Sequence, residues 1–286
     1  MDYRPRPIIR RARPTKAEIE AQHAALLQII EEQKPMTVRQ VFYQATVQGL
    51  IDKTELDYKN IGWALTVMRK TGKLPYEWIE DGSRTVLQPA SFTSPADAVR
   101  VVAESYRKAL WTDLDCTVSV WIEKDALTGV IYPVTAEFDV PLRAARGYSS
   151  LSFLHDAALD LDPAKGNFIF HLGDYDPSGV NAGEKIDETL RELAPAGTEI
   201  IFERLAVTPE QIEAWNLPTR PTKASDSRAA SFESDVSVEL DAIEPDQLRA
   251  LVRKAIERHM PPKLFKKLKR IEERERAELA YIADYS

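Results

Sequence analysis

The sequence has very little of what redox and soft-metal chemistry needs. It holds one cysteine, Cys116, in 286 residues, which excludes an internal disulfide and a thiolate zinc site. It holds four histidines, His23, His155, His171 and His259, far apart and with no metal-ligand spacing between them. No apolar run approaches the roughly 18–20 residues that a membrane-spanning helix needs. The opening stretch MDYRPRPIIRRARPTK is basic and lacks the apolar core of a secretory signal. These absences predict a soluble, cytoplasmic chain with no membrane partner. What is present is apolar content of 44%, enough for real cores, and a length that suits two compact domains.

The formal net charge of -7 is unevenly spread. Residues 1–100 carry 15 Lys and Arg against 12 Asp and Glu, and the remainder carry 23 against 33. A basic front part suits phosphates, and an acidic rear part suits cations. An unevenly charged solvated surface accounts for the same counts.

Residues 1–14 contain five arginines and three prolines and read as a flexible basic arm. PTKAEIEAQHAALLQIIEEQ follows as a helix with Thr15 as its cap and Ile19, Leu26, Leu27 and Ile30 on one face. MTVRQVFYQATVQGLI is a second helix capped by Thr37, and LDYKNIGWALTVMRKTG a third, stopped at Gly72. Two β-prone runs, LPYEWIED and RTVLQP, are joined by Asp81-Gly82-Ser83, a hairpin signal. Three helices and a hairpin over residues 15–88 predict a winged helix, with the third helix presented to the DNA major groove. Lys59, Asn60, Arg69, Lys70 and Lys73 are then candidate phosphate contacts, and Arg84 a wing contact. A solvated helix face explains each of them singly as well.

Residues 89–110 begin PASFTSPADA and read as a linker. Residues 111–260 alternate strand-like and helix-like segments, from TVSVWI through NFIFHL to TEIIFERLA, and predict a parallel α/β sheet. Residues 261–286 read as a charged helix. Its KLFKKLKR run either binds DNA or balances EERERAE.

Asp174 and Asp176 stand where the strand NFIFHL runs out, and Glu123 stands directly after TVSVWI. Ligands bind beyond the carboxyl ends of parallel strands. Three carboxylates there repel one another unless a cation intervenes, and Mg2+ suits carboxylates, waters and phosphate oxygens. The plain alternative is that Asp174 caps the next helix and Asp176 shapes a turn. Lys124 follows Glu123 and is placed to screen it, and Arg146 precedes the Gly147 turn near the same edge. Gly179 is expected to let the backbone approach closely after the acidic turn.

WIEKDAL with HLGDYDPSG resembles the Toprim domain, whose signature is a strand-end glutamate and a later D-x-D. RGYSS, between them, resembles that domain's glycine turn. DYDPSG resembles the D-x-D-P-x-G form in the DNA-cleaving subunit of type IIB DNA topoisomerases (topoisomerase VI A) and the related meiotic break-forming transesterases. SVELDAI, residues 237–243, is loosely similar to a later K-x-E-x-x-A-L-like element of that family. TVRQVFYQ resembles the family's R-D-x-[FY]-Y motif and sets Tyr43 on the attacking tyrosine, with Gln40 in place of the usual acid. RQVFY and LPYEWIEDGSR are similar to forms in mobile-element Toprim proteins. The resemblance covers most of residues 15–245.

The resemblance implies a minimal, B-less form. It implies Mg2+ held by Glu123, Asp174 and Asp176, double-stranded DNA as substrate, and a homodimer in which each tyrosine works with the partner's metal. The chain carries no ATPase motif, so any ATPase would be a separate protein. Arg39, four residues before Tyr43, shares its helix face and is the cation nearest in sequence to help a phenol whose ordinary pKa is about 10. Without the resemblance Tyr43 reads as a core aromatic beside Phe42. Two alternatives stay open: a Toprim nuclease that cuts with water, and a winged-helix DNA-binding partner without catalysis.

Overall fold

The computed structural model describes residues 15–80, 89–145, 149–222, 232 and 234–284. The basic arm, residues 81–88 of the expected hairpin with Arg84 among them, and Arg146 lie outside the described residues. The described chain opens with helices that begin at side-chain caps. Thr15 caps α1 (Lys16–Gln33), accepting the Glu18 N–H at 3.2 Å while Glu18 accepts the Thr15 N–H at 2.6 Å. A two-residue strand β1 (Met36–Thr37) leads into α2 (Val38–Val47). Thr37 and Gln40 form a second reciprocal cap, at 3.1 and 3.0 Å. Gln40 therefore has a local structural task. Thr54 caps α3 (Glu55–Lys70), and the helix stops where Gly72 takes φ +73°.

Tyr76–Trp78 form a single 3-10 turn before β2 (Ile79–Glu80), which pairs in parallel with β1. Residues 89–110, read as a linker, contain helix α4 (Pro95–Ser105). Ser94 caps it and Pro95 fills its first turn, a start signal hidden in a Pro- and Ser-rich composition.

Strands and helices then alternate: β3 (Cys116–Ile122), α5 (Thr128–Glu137), β4 (Leu142–Ala144), α6 (Leu151–Leu159), β5 (Gly166–Leu172), α7 (Pro177–Leu193) and β6 (Glu199–Ala206). The four strands lie in the order β4-β3-β5-β6, every pair parallel. The chain leaves β3 to one side for β4, then crosses back to β5 on the other. That reversal makes a switch point between the carboxyl ends of β3 and β5, where such sheets bind ligands. α8 (Pro209–Ala214), capped reciprocally by Thr208 and Gln211, precedes the antiparallel pair β7 (Arg220–Pro221) and β8 (Val236–Ser237). α9 (Pro245–Glu257) and α10 (Pro262–Asp284) complete the described chain.

Alternate residues of the strands feed two cores. Trp121, Ile169 and Ile200 pack with Leu154, Ala158, Ile186 and Leu190 of α6 and α7 on one face. On the other, Val118, Val120, Phe170 and Leu172 pack with residues of α5 and α9, and the same apolar cluster continues into Leu26, Ile30, Val41, Leu65 and Met68 of the first three helices. The helical module and the sheet thus share one core. α10 lies along α4. Glu272 accepts the Lys108 N–H at 2.9 Å, and Glu275 takes the Tyr106 hydroxyl at 2.7 Å and the Lys108 ammonium at 3.0 Å. Among the described residues no helix is long and apolar enough to cross a membrane.

Candidate functional site

β3 and β5 run in register, with Ile122 opposite Leu172, so Glu123 and Asp174 leave the sheet side by side at the switch point. The ladder carries on for one more bond, Glu123 N–H to Leu172 carbonyl at 2.9 Å. Glu123 Oε2 accepts the Asp174 N–H at 2.9 Å. This crowding excludes side chains at two glycines. A Cβ on Gly173 would stand 2.9 Å from Glu123 Oε2, and one on Gly179 would stand 2.5 Å from the Asp174 carbonyl oxygen and 3.0 Å from Glu123 Oε2. The close approach expected at Gly179 is present. Asp176, not Asp174, caps α7, accepting the Gly179 N–H at 2.8 Å.

A third segment crosses this edge. Tyr175 and Val238 exchange backbone hydrogen bonds at 2.8 and 2.9 Å, and the Leu240 N–H donates to Asp174 Oδ1 at 2.8 Å. The stretch SVELDAI is thereby laid over the D-x-D turn, bringing buried Glu239 and Asp241 with it. The Lys124 ammonium sits among Asp174 at 2.9 Å, Glu239 at 3.3 Å and Asp241 at 2.6 Å. Arg220, from β7, bridges Asp176 at 3.3 Å and Glu239 at 3.1 Å. Arg39, from α2, pairs with Glu239 and stands 3.9 Å from Asp241. Lys124 therefore does more than screen Glu123; it is the hub of an ion network that Arg39 joins from the helical module.

The titration behaviour follows from burial and these charges. Burial pushes the Glu123 carboxyl up, and the neighbouring Asp174 charge pushes it further. Burial raises Asp174 too, more than Lys124 lowers it. For Lys124, burial alone would lower the ammonium, but Asp241, Asp174 and Glu239 outweigh it and hold it above the usual lysine range. Burial would raise Glu239, yet Lys124, Arg39 and Arg220 bring it below its ordinary value.

Tyr43 lies under this network, 2% exposed, with Phe42 edge-on at 5.6 Å and the Lys53 ammonium 5.0 Å from its ring. Burial pushes its phenol up to about 12, Glu239 adds to the rise, and Arg39 and Lys124 oppose it. Arg39 thus acts on Tyr43 in the expected direction but is outweighed. Phe42 is also buried, so both aromatics face inward.

The carboxylate oxygens of Glu123, Asp174 and Asp176 are the right chemistry for a hard cation such as Mg2+. In this arrangement Lys124, Leu240, Gly179 and Arg220 engage the oxygens of Asp174 and Asp176. Among the described residues, no three His, Cys, Asp or Glu side chains are grouped to hold an ion. Here the cations of the chain itself balance the charge of the carboxylates.

Of the candidate DNA contacts, Lys59, Asn60, Lys70 and Lys73 are exposed. Arg69 turns inward, donating to the Ile79 carbonyl at 3.0 Å beside the Tyr76 ring. The open side of α3 also carries the exposed apolar residues Leu56 and Trp63. In the KLFKKLKR run, Phe265 stacks on Phe138 at 4.7 Å and Lys269 pairs with Glu272 at 2.5 Å, so part of it is structural. Sequence reasoning missed Arg204 and Arg220, which belong to no motif. No family model, curated protein or solved structure matches the chain.

Proposed function

We propose that this chain is a Mg2+-dependent DNA-breaking transesterase of the Toprim and winged-helix kind, resembling the DNA-cleaving subunit of type IIB topoisomerases. The observation that supports this is that Glu123, Asp174 and Asp176 lie along one sheet edge, with Arg39 in the ion network there and Tyr43 within reach of its charges. Bound there, Mg2+ would offset the charge of a DNA phosphate and of the leaving oxygen. Tyr43 Oη would attack the phosphorus, forming a phosphotyrosyl bond as the P–O3′ bond breaks, and the phenol proton leaves to solvent or a neighbouring base. Arg39 and Lys124 favour the phenolate; burial and Glu239 oppose it. Attack therefore needs Tyr43 to leave its buried position and the field of Glu239. Lys59, Asn60, Lys70 and Lys73 would contact the backbone of double-stranded DNA. A homodimer would cut both strands, and any ATPase would be a separate protein.

One observation favours a second reading. A phenol that is 2% exposed and raised to about 12 is a poor nucleophile, and the acidic edge could instead serve a nuclease that activates water. Supercoiled plasmid with Mg2+, stopped by detergent and run with and without protease, separates the two. Breaks that enter the gel only after protease, and vanish in Tyr43→Phe and Asp174→Ala, are those of a transesterase. Breaks that need Asp174 and survive Tyr43→Phe are those of a nuclease. Binding that weakens steeply with salt, with no breaks at all, is that of a non-catalytic partner.

A further inference from the structure

Arg204 is half-hidden beneath the acidic edge. It lies on β6 opposite His171 of β5, and its side chain turns under the D-x-D turn. Nε donates to the Val207 carbonyl at 2.9 Å and Nη1 to the Gly179 carbonyl at 3.4 Å. Nη2 donates to the Gly173 carbonyl at 3.1 Å and to that of Asp174. One planar fork thus joins the end of β6, the turn after β5 and the first turn of α7. The peptide between Gly173 and Asp174 is gripped from both sides, its carbonyl by Arg204 and its N–H by Glu123. Gly179 is gripped likewise, its carbonyl by Arg204 and its N–H by Asp176.

The space around Arg204 is built to match. His171 is buried, stacks on Phe202 at 5.7 Å, and neither ring nitrogen has a partner among the described residues. A Cβ on Gly183 would stand 3.2 Å from the His171 ring and 3.7 Å from Arg204 Nη1. The missing side chain at Gly183 lets α7 settle onto an imidazole and a guanidinium at once. The charge of Arg204 also acts on Glu123, Asp174 and Asp176, beside the ion pairs of Lys124 with Asp174 and of Arg220 with Asp176.

We propose that Arg204 is the positioning residue of the acidic edge. It sets where the carboxylates of Glu123, Asp174 and Asp176 stand, and so tunes divalent-cation affinity without touching the ion; this rests on reading the edge as a cation site. Arg204→Lys keeps the charge but offers a point of donors in place of a fork, so one ammonium cannot reach four carbonyls.

The test compares wild type, Arg204→Lys and Arg204→Met by hydrogen exchange and by Mg2+ calorimetry. Amides of residues 173–180 should exchange at least about 10-fold faster in both variants, with β3 and the α1–α3 core unchanged. Mg2+ affinity should fall by about 10–100-fold, as for other groups that orient metal ligands. Unchanged exchange over 173–180 overturns the proposal, and so does unchanged Mg2+ affinity alongside faster exchange. If wild type binds no Mg2+ while the variants still exchange faster, the positioning role stands and the cation reading fails. Should Arg204→Met fail to fold, Arg204→Lys decides by the same readouts.

Discussion

His171 should make the protein sensitive to acid, and the size of the effect can be worked out. Its imidazole is 1% exposed, and burial, followed by the charge of Arg204, lowers its pKa to about 3. In the unfolded chain a histidine titrates near about 6.5. Below that pH the unfolded state takes up a proton that the folded state refuses until about pH 3. The unfolded state binds more protons across this window, so stability falls as pH falls. At about 1.4 kcal/mol per fully populated unit, the loss from pH 7 to pH 5 is about 2 kcal/mol. Glu123 and Asp174 work the other way. Their raised carboxyls are protonated first in the folded state, so their share of stability grows as pH falls and is lost as pH rises. A single pH profile therefore mixes signs, but a comparison does not. Urea denaturation of wild type and His171→Phe at pH 7, 6 and 5 should show the variant losing about 2 kcal/mol less over the span. The absolute stability of the variant does not enter, since only the slopes are compared. Parallel slopes would refute the reasoning, and would mean the folded protein protonates this ring.

Gly179→Ala should cost about 1–3 kcal/mol in thermal or urea unfolding, because the new Cβ would meet the Asp174 carbonyl at 2.5 Å. Gly62→Ala is its control: nothing stands within 4 Å in the interior of α3, and a gain of about 0.5–1 kcal/mol is expected. Glu239→Gln removes one buried carboxylate from Arg39, Lys124 and Arg220, and should destabilise by about 3 kcal/mol. The Tyr43 phenol should then titrate at lower pH, read as a difference absorbance curve against Tyr43→Phe. If α3 contacts DNA phosphates, Lys59→Gln and Lys70→Gln should each lower the salt slope of binding by about one; an unchanged slope removes that residue from the interface.

The acidic edge was legible because its chemistry is local. The apolar run NFIFHL announces a strand, and Asp174 and Asp176 end it; the strand TVSVWI places Glu123 by the same logic. Caps at Thr15 and Thr37 were equally plain, since each needs only a partner three residues on. Helix α4 was missed because Pro and Ser read alike as linker and as helix start; its cover, α10, is far away in sequence. Arg204 and Arg220 were invisible for a different reason. Each is a lone cation whose partners come from strand pairing, β5 with β6 and β7 with β8. For Tyr43 the shared face with Arg39 could be read from spacing, but the burial that opposes ionisation, and the Glu239 charge that adds to it, come from tertiary packing. The choice between cap and ligand for the two aspartates also needed three dimensions, since Asp176 caps and Asp174 receives Lys124.

The fastening of the α4 segment to α10 bears on how the protein is made. The Lys108 N–H finds its carboxylate on Glu272, 164 residues downstream. A ribosome adding about 5–20 residues per second leaves that gap open for roughly 10–30 seconds. During that time the helices bearing Tyr43 and the strands bearing the acids can each form, while the segment that joins them waits for its cover. The cover of α4 is therefore added late in synthesis, and a pause in translation before α10 would lengthen the period in which α4 stands bare.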